Sequence, residues 1–326
     1  MTDTFHNLST KKRARVGLGQ GGDRRQNVYT ALDLVRADVE SRVAEQVMLK
    51  PNFLSGKNQL ASSHADAMRG AIDFLLTTPK PPSEILIAEA GNEDYPGQAW
   101  DVYGYHALHA EYPSLTIRWV DLHQETNWVE TPILLADGSE TIARMPKTVL
   151  DCPCTISVAI PKTHDVCVVT LALKNMIMGT IYKPDRVKMH GFPNHAARVL
   201  PDEAQVLNIN LIRLSRFLAP DVALIDGAWG LQGNGPGGED GFPFGLAAAS
   251  TDVFAADAVM AKAMGFEPLE LGLLHYAHQL GMGVADLAEI DVRGAQLQKH
   301  VRSFKPHDTT HLQMQWQMPE AERLLA

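Results

Sequence analysis

Short apolar runs alternate with helical patterns along the N-terminal part of the chain. The predicted buried strands are Ala14–Gly19, residues 45–52, Glu84–Gly91 and Leu115–Leu122. Between them, Asn27–Val39 and Ser63–Leu76 place apolar residues at helical spacing, and Ser63 is the predicted N-cap of the second helix. This alternation predicts an α/β fold with a mostly parallel sheet flanked by helices on both faces.

A hairpin pattern separates this part from a second series of strands and helices. Two alternating segments flank Asp137–Gly138, a dipeptide typical of a tight β-hairpin turn. The elements predicted beyond it are strands at Thr155–Lys162, Asp221–Gly230 and 289–294, and helices at Pro201–Leu218 and Ser250–Gly265. The predicted organisation is a flexible tail (1–12), an N-terminal lobe (13–126), a hairpin insertion or linker (127–150), a C-terminal lobe (151–295) and an extension (296–326). The two lobes could also form one domain.

The charge balance indicates which partners to expect. Lys and Arg together number 29, and Asp and Glu number 38, so the formal net charge is −9. Because nucleic-acid binding needs clustered basic residues, this chain is not expected to bind nucleic acid. Its apolar fraction of 45% is typical of globular proteins. We expect a small anionic molecule as the partner, and the sequence leaves a homo-oligomer open.

The sequence contains no signal for membrane insertion or export. The first thirty residues have no apolar core of the kind that a signal peptide carries, and no uninterrupted apolar segment is long enough for a membrane span. An odd number of cysteines (Cys152, Cys154 and Cys167) argues against a disulfide framework. These observations predict a cytoplasmic protein without membrane contacts.

Four polar clusters follow predicted strands. They are Lys50-Pro51-Asn52, Glu89-Ala90-Gly91-Asn92, Pro161-Lys162-Thr163-His164 and Asp226-Gly227. Because ligands of parallel α/β sheets bind at the carboxyl ends of the strands, the four clusters together predict one pocket. A single cluster would indicate little, since strand ends are usually polar.

The segment from Pro161 to Gly191 contains the predicted catalytic residues, which are His164, Lys174 and His190. Imidazoles transfer protons near neutral pH or bind transition metals, and a lysine can hold an anion or act as a nucleophile. Lys174 interrupts the apolar run "VVTLALKNMIMG", where a lysine either extends to solvent or has a specific role. His190 and His195 are candidate metal ligands, although each histidine could also be purely structural.

Further residues are predicted to bind the substrate. They are Lys50, Asn52, His64, Lys162, Asn175, Gly233, Asn234 and Gly235. The last three belong to the glycine loop "GLQGNGPGG", whose backbone amides could hold an anion. The loop lacks the Gly-Lys-Ser/Thr ending of a P-loop and the spacing of a dinucleotide fingerprint, and it could equally be an exposed irregular loop.

The motifs in this order resemble the domain of unknown function 362 family. They are "VMLKPNFLSG", a helix led by His64, "ILIAEAG", "IPKTHDVCVVTLALKNMIMG", "LIDGAWGLQGNGPGG" and "AASTDVFAADAVMAKAMGFEP". The resemblance covers most of the chain, from Arg15 to Gly294, and implies the fold and the pocket rather than a reaction. Many members carry cysteine-rich ferredoxin-type motifs, which this chain lacks. An iron–sulfur cluster is therefore not expected, because it normally requires four thiolates.

The His-x9-Lys-x15-His pattern of His164, Lys174 and His190 also resembles the core of the nickel-pincer lactate racemase family. That resemblance implies that Lys174 anchors a pincer cofactor, that His190 binds nickel or another divalent transition metal, and that His164 transfers protons.

The sequence as a whole predicts a metal- or cofactor-dependent enzyme that performs acid–base chemistry of the racemase or isomerase type on a small anionic metabolite. Two alternatives stay open. One is a metal- or ligand-binding protein without turnover. The other is a redox accessory protein related to the iron–sulfur members of the family.

Overall fold

A computed structural model of the chain describes residues 14–92 and 96–325. The predicted tail at 1–12 lies outside the described residues. The strands are β1 (Ala14–Gln20), β2 (Gln46–Lys50), β3 (Glu84–Glu89), β4 (Thr116–Asp121), β5 (Trp128–Leu134), β6 (Glu140–Pro146), β7 (Thr155–Ala159), β8 (Lys162–Thr163), β9 (Val169–Thr170), β10 (Val222–Leu231), β11 (Gly241–Ser250) and β12 (Ile290–Gly294). The α-helices are α1 (Arg24–Leu34), α2 (Arg36–Glu40), α3 (Ala65–Leu76), α4 (Pro96–Val102), α5 (Leu108–Glu111), α6 (Lys147–Leu150), α7 (Ala172–Met178), α8 (Arg186–Met189), α9 (Asp202–Leu218), α10 (Val253–Ala263), α11 (Gly272–Gln279), α12 (Leu297–His300), α13 (Thr310–Gln313) and α14 (Ala321–Leu325). Short 3-10 helices lie at Gln59–Ala61, Tyr105–Ala107, Leu122–Gln124, Lys183–Asp185, His195–Ala197, Pro268–Glu270 and Leu287–Glu289.

The main sheet follows the order β12, β1, β11, β10, β7, β2, β3, β4. Along this path of described strands only β11 runs antiparallel to its neighbours, β1 and β10. All the other neighbouring pairs are parallel. The short strands β8 and β9 extend the sheet beside the end of β10. The predicted α/β fold with a mostly parallel sheet is therefore confirmed.

The sheet separates two apolar layers. Val47 and Leu49 of β2 belong to the layer that contains α1 and α3, whereas Met48 belongs to the layer that contains α7, α9 and α10. Each fully buried side chain of this kind contributes roughly 1.5–3 kcal/mol to folding. Although these helices are rich in apolar residues, none in the described part of the chain is both long and apolar enough to cross a bilayer.

The predicted hairpin is present as a separate antiparallel sheet of β5 and β6. Gly138 in its turn has a φ of 83°, a conformation that glycine adopts without steric cost. The hairpin packs on α9, where the Asn210 side chain accepts from Leu134 N at 2.8 Å and donates to Leu134 O at 2.9 Å. The main sheet takes strands from both sides of this hairpin, and the lobe boundaries stay predictions.

Strand β11 is not predicted from the sequence, because "GFPFGLAAAS" contains glycine, proline and alanine, which are depleted in strands. Ala247, Ala248 and Ala249 are buried in the sheet between β1 and β10, and α1 and α10 pack on opposite sides of this strand. Small side chains allow that close packing. The helix predicted to begin at Ser250 begins instead after Asp252, whose carboxylate caps α10.

Two other helix starts differ from the predictions. The helix predicted from Asn27 begins at Arg24 with Asp23 as its N-cap. The N-cap of α3 is His64, whose Nδ1 accepts from Asp66 N, and not Ser63. The Ser63 hydroxyl instead donates to Val158 O and accepts from the amide of Asn52, so it joins β7 to the segment after β2.

Candidate active site

Three neighbouring parallel strands, β7, β2 and β3, end beneath a cavity of about 540 Å³. We call it the main cavity. Asn52 follows β2, Glu89 ends β3, and Lys162 lies in β8 directly after β7. The segments around α7 and α8 complete the wall with Lys174 and Arg186, among other residues. The strand-end clusters of three strands therefore converge on one cavity.

A hydrogen-bonded network forms the floor of the main cavity. Lys50 is fully buried, forms an ion pair with Glu89 and donates to Asn175 Oδ1 at 2.9 Å. Asn52 donates to the same oxygen at 3.0 Å. A side chain at Gly179 would collide with the Lys50 ammonium, so this position requires glycine. Burial lowers the pKa of Lys50 and raises that of Glu89, while their mutual attraction opposes both shifts.

Lys162 lines the main cavity and is 1% exposed. Its ammonium donates to Asn52 Oδ1 at 2.8 Å and to Ala61 O at 3.2 Å, two uncharged acceptors. Burial, followed by repulsion from Lys174 and Lys50, lowers the pKa of Lys162 to about 7. This lysine can therefore gain or lose a proton near neutral pH.

His164 contacts Lys174 within the main cavity. The Lys174 ammonium lies against His164 Nε2, and Asp165 Oδ1 is 2.9 Å from His164 Nδ1. Burial and the neighbouring Lys174 lower the pKa of His164 to about 3, so the ring is neutral at pH 7. The Val166 amide donates to the same Nδ1 at 3.0 Å, so the ring lies between Lys174 at one nitrogen and Val166 and Asp165 at the other. Lys174, His164 and Asp165 are therefore successive neighbours in one set of polar contacts on the cavity wall.

His190 has a carboxylate of its own. Glu203 is 4% exposed, and its Oε1 lies 2.6 Å from His190 Nδ1 and 2.5 Å from Arg198 Nε. Arg198 also reaches Asp165 at 3.5 Å, so it joins the carboxylates behind the two histidines. Burial lowers the pKa of His190, against the opposing effect of Glu203. His190 is therefore a neutral base whose protonated form Glu203 would stabilise.

Asp257 of α10 fixes the start of α7, the helix that carries Lys174. Leu171 provides no side-chain cap. The Asp257 carboxylate accepts from Ala172 N at 2.8 Å and from Leu173 N at 3.2 Å. Burial raises the pKa of Asp257 to about 7, although both amide contacts act to lower it. A buried acid on another helix thus replaces the usual local cap.

The C-terminal extension holds the loop that carries His164. Val168 has a φ of 65°, which is rare and strained for a β-branched residue. Its amide donates to Gln313 Oε1 at 2.7 Å, and its carbonyl accepts from His164 N at 2.9 Å. Gln313 is 1% exposed and donates to Thr309 Oγ1 at 2.9 Å, and that hydroxyl donates to Asp165 O at 3.3 Å. The strained turn is therefore fixed from the far end of the described chain.

Three cations of the main cavity, Lys162, Lys174 and Arg186, have no carboxylate within ion-pair distance among the described residues. Among the described residues, Arg186 donates to the carbonyl oxygens of Ala90 and Gly91, and burial lowers its pKa to about 10 against the attraction of Glu89. Burying unpaired charges is unfavourable unless a ligand supplies the opposite charge. The cavity is therefore suited to an anion.

Most of the residues predicted for the site line the main cavity. They are Asn52, Lys162, His164, Lys174, Asn175, His190 and His195. Lys50 lies behind the wall, where it holds Asn175 and Glu89. Gly233, Asn234 and Gly235 do not line the cavity, although the adjacent Pro236 does. A side chain at Gly235 would collide with Thr163 O, so close packing explains this glycine.

His64 lines a different cavity of about 400 Å³, which we call the second cavity. Its other lining residues include Arg24, Asp226 and Trp229. Arg24 Nε lies 2.7 Å from the buried carboxylate of Asp226, and Trp229 is 47% exposed. His64 therefore does not share the cavity of Lys162.

Several polar residues of the site were not predicted from the sequence. They are Asp165, Thr170, Arg186, Arg198, Glu203, Asp257 and Gln313. One of them carried a local signal, because Asp165 directly follows His164. Glu203 is in the first turn of α9, where the sequence indicates only a favourable interaction with the helix dipole. Gln313 has no signal, since its partner is distant in the sequence.

The described side chains do not by themselves form a metal site. Within 14–92 and 96–325 there is no group of three or more His, Cys, Asp or Glu side chains that could hold a metal ion. His195 lies 3.2 Å from Arg198, and His190 has Glu203 at its Nδ1. Cys152 and Cys154 precede β7, whereas Cys167 follows it. The described donors thus do not fit a metal held by protein ligands alone.

Comparisons with known proteins place the chain in a family without assigning an activity. A sequence model of the family described as "Domain of unknown function (DUF362)" matches residues 47–262. A thylakoid-associated protein of Synechocystis sp. is 28% identical over 139 residues, which is 43% of this chain and 41% of that protein. The lactate racemase apoprotein from Thermoanaerobacterium thermosaccharolyticum has a TM-score of 0.46 and 14% sequence identity, over 64% of this chain and 49% of that one. The chain thus spans less than half the length of either protein.

Proposed function

The chain belongs to the domain of unknown function (DUF362) family, and we propose that it is an enzyme that performs acid–base chemistry on a small anionic metabolite. The proposed reaction moves a proton to or from a carbon atom next to a carboxylate, as racemases and isomerases do. The proposal concerns the main cavity and assigns no step to a metal ion or cofactor.

The single observation that carries the proposal is the set of unpaired cations next to neutral imidazoles. Lys162, Lys174 and Arg186 supply positive charge without carboxylate partners in the described chain. Positive charge beside a substrate carboxylate stabilises the enolate-like charge that develops when the neighbouring C–H proton leaves. The same cavity contains His190 as a base, so binding and proton transfer are adjacent.

His190 and Lys174 have the properties of the two proton-transfer groups. The Nδ1 of His190 faces Glu203, which leaves Nε2 for the substrate. Glu203 would stabilise the imidazolium that forms when His190 accepts a proton. Lys174 would donate or accept a proton on another side of the substrate, with the neutral ring of His164 beside its amine. Positioned general acids and bases contribute rate factors of about 10²–10⁴.

Deuterium exchange tests this function. The undialysed protein is incubated in D2O with a panel of 2-hydroxy and 2-amino acids, which carry a hydrogen on the carbon next to the carboxylate, and proton NMR follows loss of that C–H signal. We expect exchange with at least one acid, slowed by about 10²-fold or more in His190→Gln. The exposed His109→Gln is the matched control and should exchange at the wild-type rate.

Two results would contradict the proposal. One is exchange in His190→Gln as fast as in the wild type. The other is binding of the acids without any exchange, which would indicate a ligand-binding protein without turnover. Thermal unfolding of both variants distinguishes lost chemistry from lost folding, because an intact His190→Gln should melt within a few degrees of the wild type.

A further inference from the structure

Lys162 is buried among groups that do not neutralise its charge. Its two hydrogen-bond acceptors, Asn52 Oδ1 and Ala61 O, are uncharged. Its side chain is fully enclosed apart from 1% exposure, and it lines the main cavity. An ammonium in such a place loses its hydration without gaining an ion pair.

The charged groups around Lys162 come from three elements. Lys174 of α7 and Lys50 of β2 repel its ammonium, and Glu89 of β3 attracts it. Glu89 is already in an ion pair with Lys50, so it compensates the Lys50 charge first. The surroundings of Lys162 therefore favour the neutral amine while the cavity holds no anion.

Two of the other cations that line the cavity indicate how much negative charge it accommodates. Lys174 contacts a neutral imidazole, and Arg186 donates to backbone carbonyl oxygens. Lys162 adds a third positive charge when it is protonated. A monoanion would compensate only one of these three charges, whereas a dianion compensates two of them and makes protonation of Lys162 favourable.

We propose that the main cavity binds a small dianion, either a dicarboxylate or a phosphate monoester, together with one proton that Lys162 takes up. The proton comes from solvent and forms an N–H bond at Nζ, so no other reactant is needed. The dianion would be the substrate class of the proposed function, and in this respect the inference rests on that function.

The direction of the pH dependence follows from the two states of Lys162. In the cavity without anion its pKa is lowered to about 7, and a bound dianion raises this pKa. Between the two pKa values, binding consumes a proton. Affinity should therefore be constant below about pH 7 and should fall by up to about tenfold per pH unit above it.

Isothermal titration calorimetry at about pH 8, where Lys162 is largely neutral, tests the proposal. The probes are sulfate, malonate and acetate, because the first two stay dianionic and the third stays monoanionic from neutral to alkaline pH. Titrations in two buffers of different ionisation enthalpy measure the protons taken up. We expect uptake of about one proton with a dianion and at least about tenfold weaker binding of acetate. Preference for sulfate indicates a phosphate-type substrate, and preference for malonate a dicarboxylate.

Three variants separate Lys162 from general electrostatics. Lys162→Met should abolish proton uptake and flatten the pH dependence. Lys162→Arg keeps the charge permanently and should bind dianions without uptake. Lys80→Met removes an exposed lysine outside the main cavity and should behave as the wild type.

Dianion binding without proton uptake, uptake that persists in Lys162→Met, or binding of neither dianion would overturn the proposal. Exchange of a monocarboxylate in D2O together with no dianion binding would leave the proposed function standing and remove only this inference. Proton-coupled dianion binding without exchange of any acid would support this inference and contradict the proposed enzyme instead.

Discussion

At the scale of single residues, Lys174 occupies an unusual position for a lysine. It is 5% exposed, and its ammonium contacts an imidazole rather than a carboxylate. His164 has a pKa lowered to about 3 by burial and by Lys174 itself, so it accepts a hydrogen bond but does not hold a charge. The amine is therefore close to a proton acceptor while its charge remains available to an anion.

Glu203 provides the residue-scale prediction. Its carboxylate lies 2.6 Å from His190 and would stabilise the imidazolium during proton transfer. Glu203→Gln keeps the shape but removes the charge, so we expect exchange in D2O to slow by about tenfold or more while malonate binding stays unchanged. Glu140→Gln, an exposed acid paired with Arg213, is the control. Equal exchange rates in both variants would contradict this role of Glu203.

The sequence singles out His164, Lys174 and His190 as candidate catalytic residues because the residue types themselves indicate chemistry. Glu203 and Arg186 were not predicted as site residues, because acids and arginines at helix starts are common on protein surfaces. Their burial depends on packing between elements that are distant in sequence, and a local sequence pattern carries no information about that packing. Most of the site residues that the sequence did not predict are those whose place in the site depends on contact with another residue.

At the scale of elements, the loop from Thr163 to Thr170 depends on the C-terminal extension. Val168 adopts a strained backbone conformation, and Gln313 and Thr309 hold the amide and carbonyl groups around it. The matched family region, 47–262, contains this loop, whereas Gln313 lies beyond it. The extension thus supports a site built from other parts of the chain.

Gln313→Ala tests that support. The unpaired amide of Val168 should lower the free energy of unfolding by about 1–3 kcal/mol. Because the loop would loosen, the pKa of His164, followed by histidine NMR, should rise from about 3 towards its ordinary range, and malonate should bind more weakly. Gln313→Glu retains an acceptor and should restore both properties in part, and the exposed Gln315→Ala should change neither. A Gln313→Ala protein that is only less stable, with unchanged His164 titration and malonate affinity, would contradict a positioning role.

Elements were predicted correctly where apolar residues recur at a regular spacing. Strand β11 was missed because small, closely packed residues take the place of that pattern. The strands around Val47 and Ile85 are continuous apolar runs, typical of parallel strands covered on both faces. Strand β11 instead uses buried alanines, whose small size suits a sheet with helices close on both sides. The sequence alone does not distinguish such a strand from the start of a helix.

At the scale of the whole molecule, the parallel sheet brings distant segments together. Asn52, Glu89 and Lys162 are far apart in sequence, yet they follow three neighbouring strands. The sequence predicted the shared edge, because parallel strands end on the same side. It did not reveal the faces of the sheet: Asp226 shares the face of Val222 and Leu224, which pack with α1 and α3, and His64 caps α3, so both line the second cavity.

The central claim is that the main cavity is an anion site adjacent to acid–base groups. The most direct measurement is a crystal structure determined with malonate, which shows where the dianion binds. We predict malonate in the main cavity, within hydrogen-bond distance of Lys162, Lys174 or Arg186 and next to His190. Malonate in the second cavity beside Arg24 and His64, with the main cavity free of it, would contradict the claim.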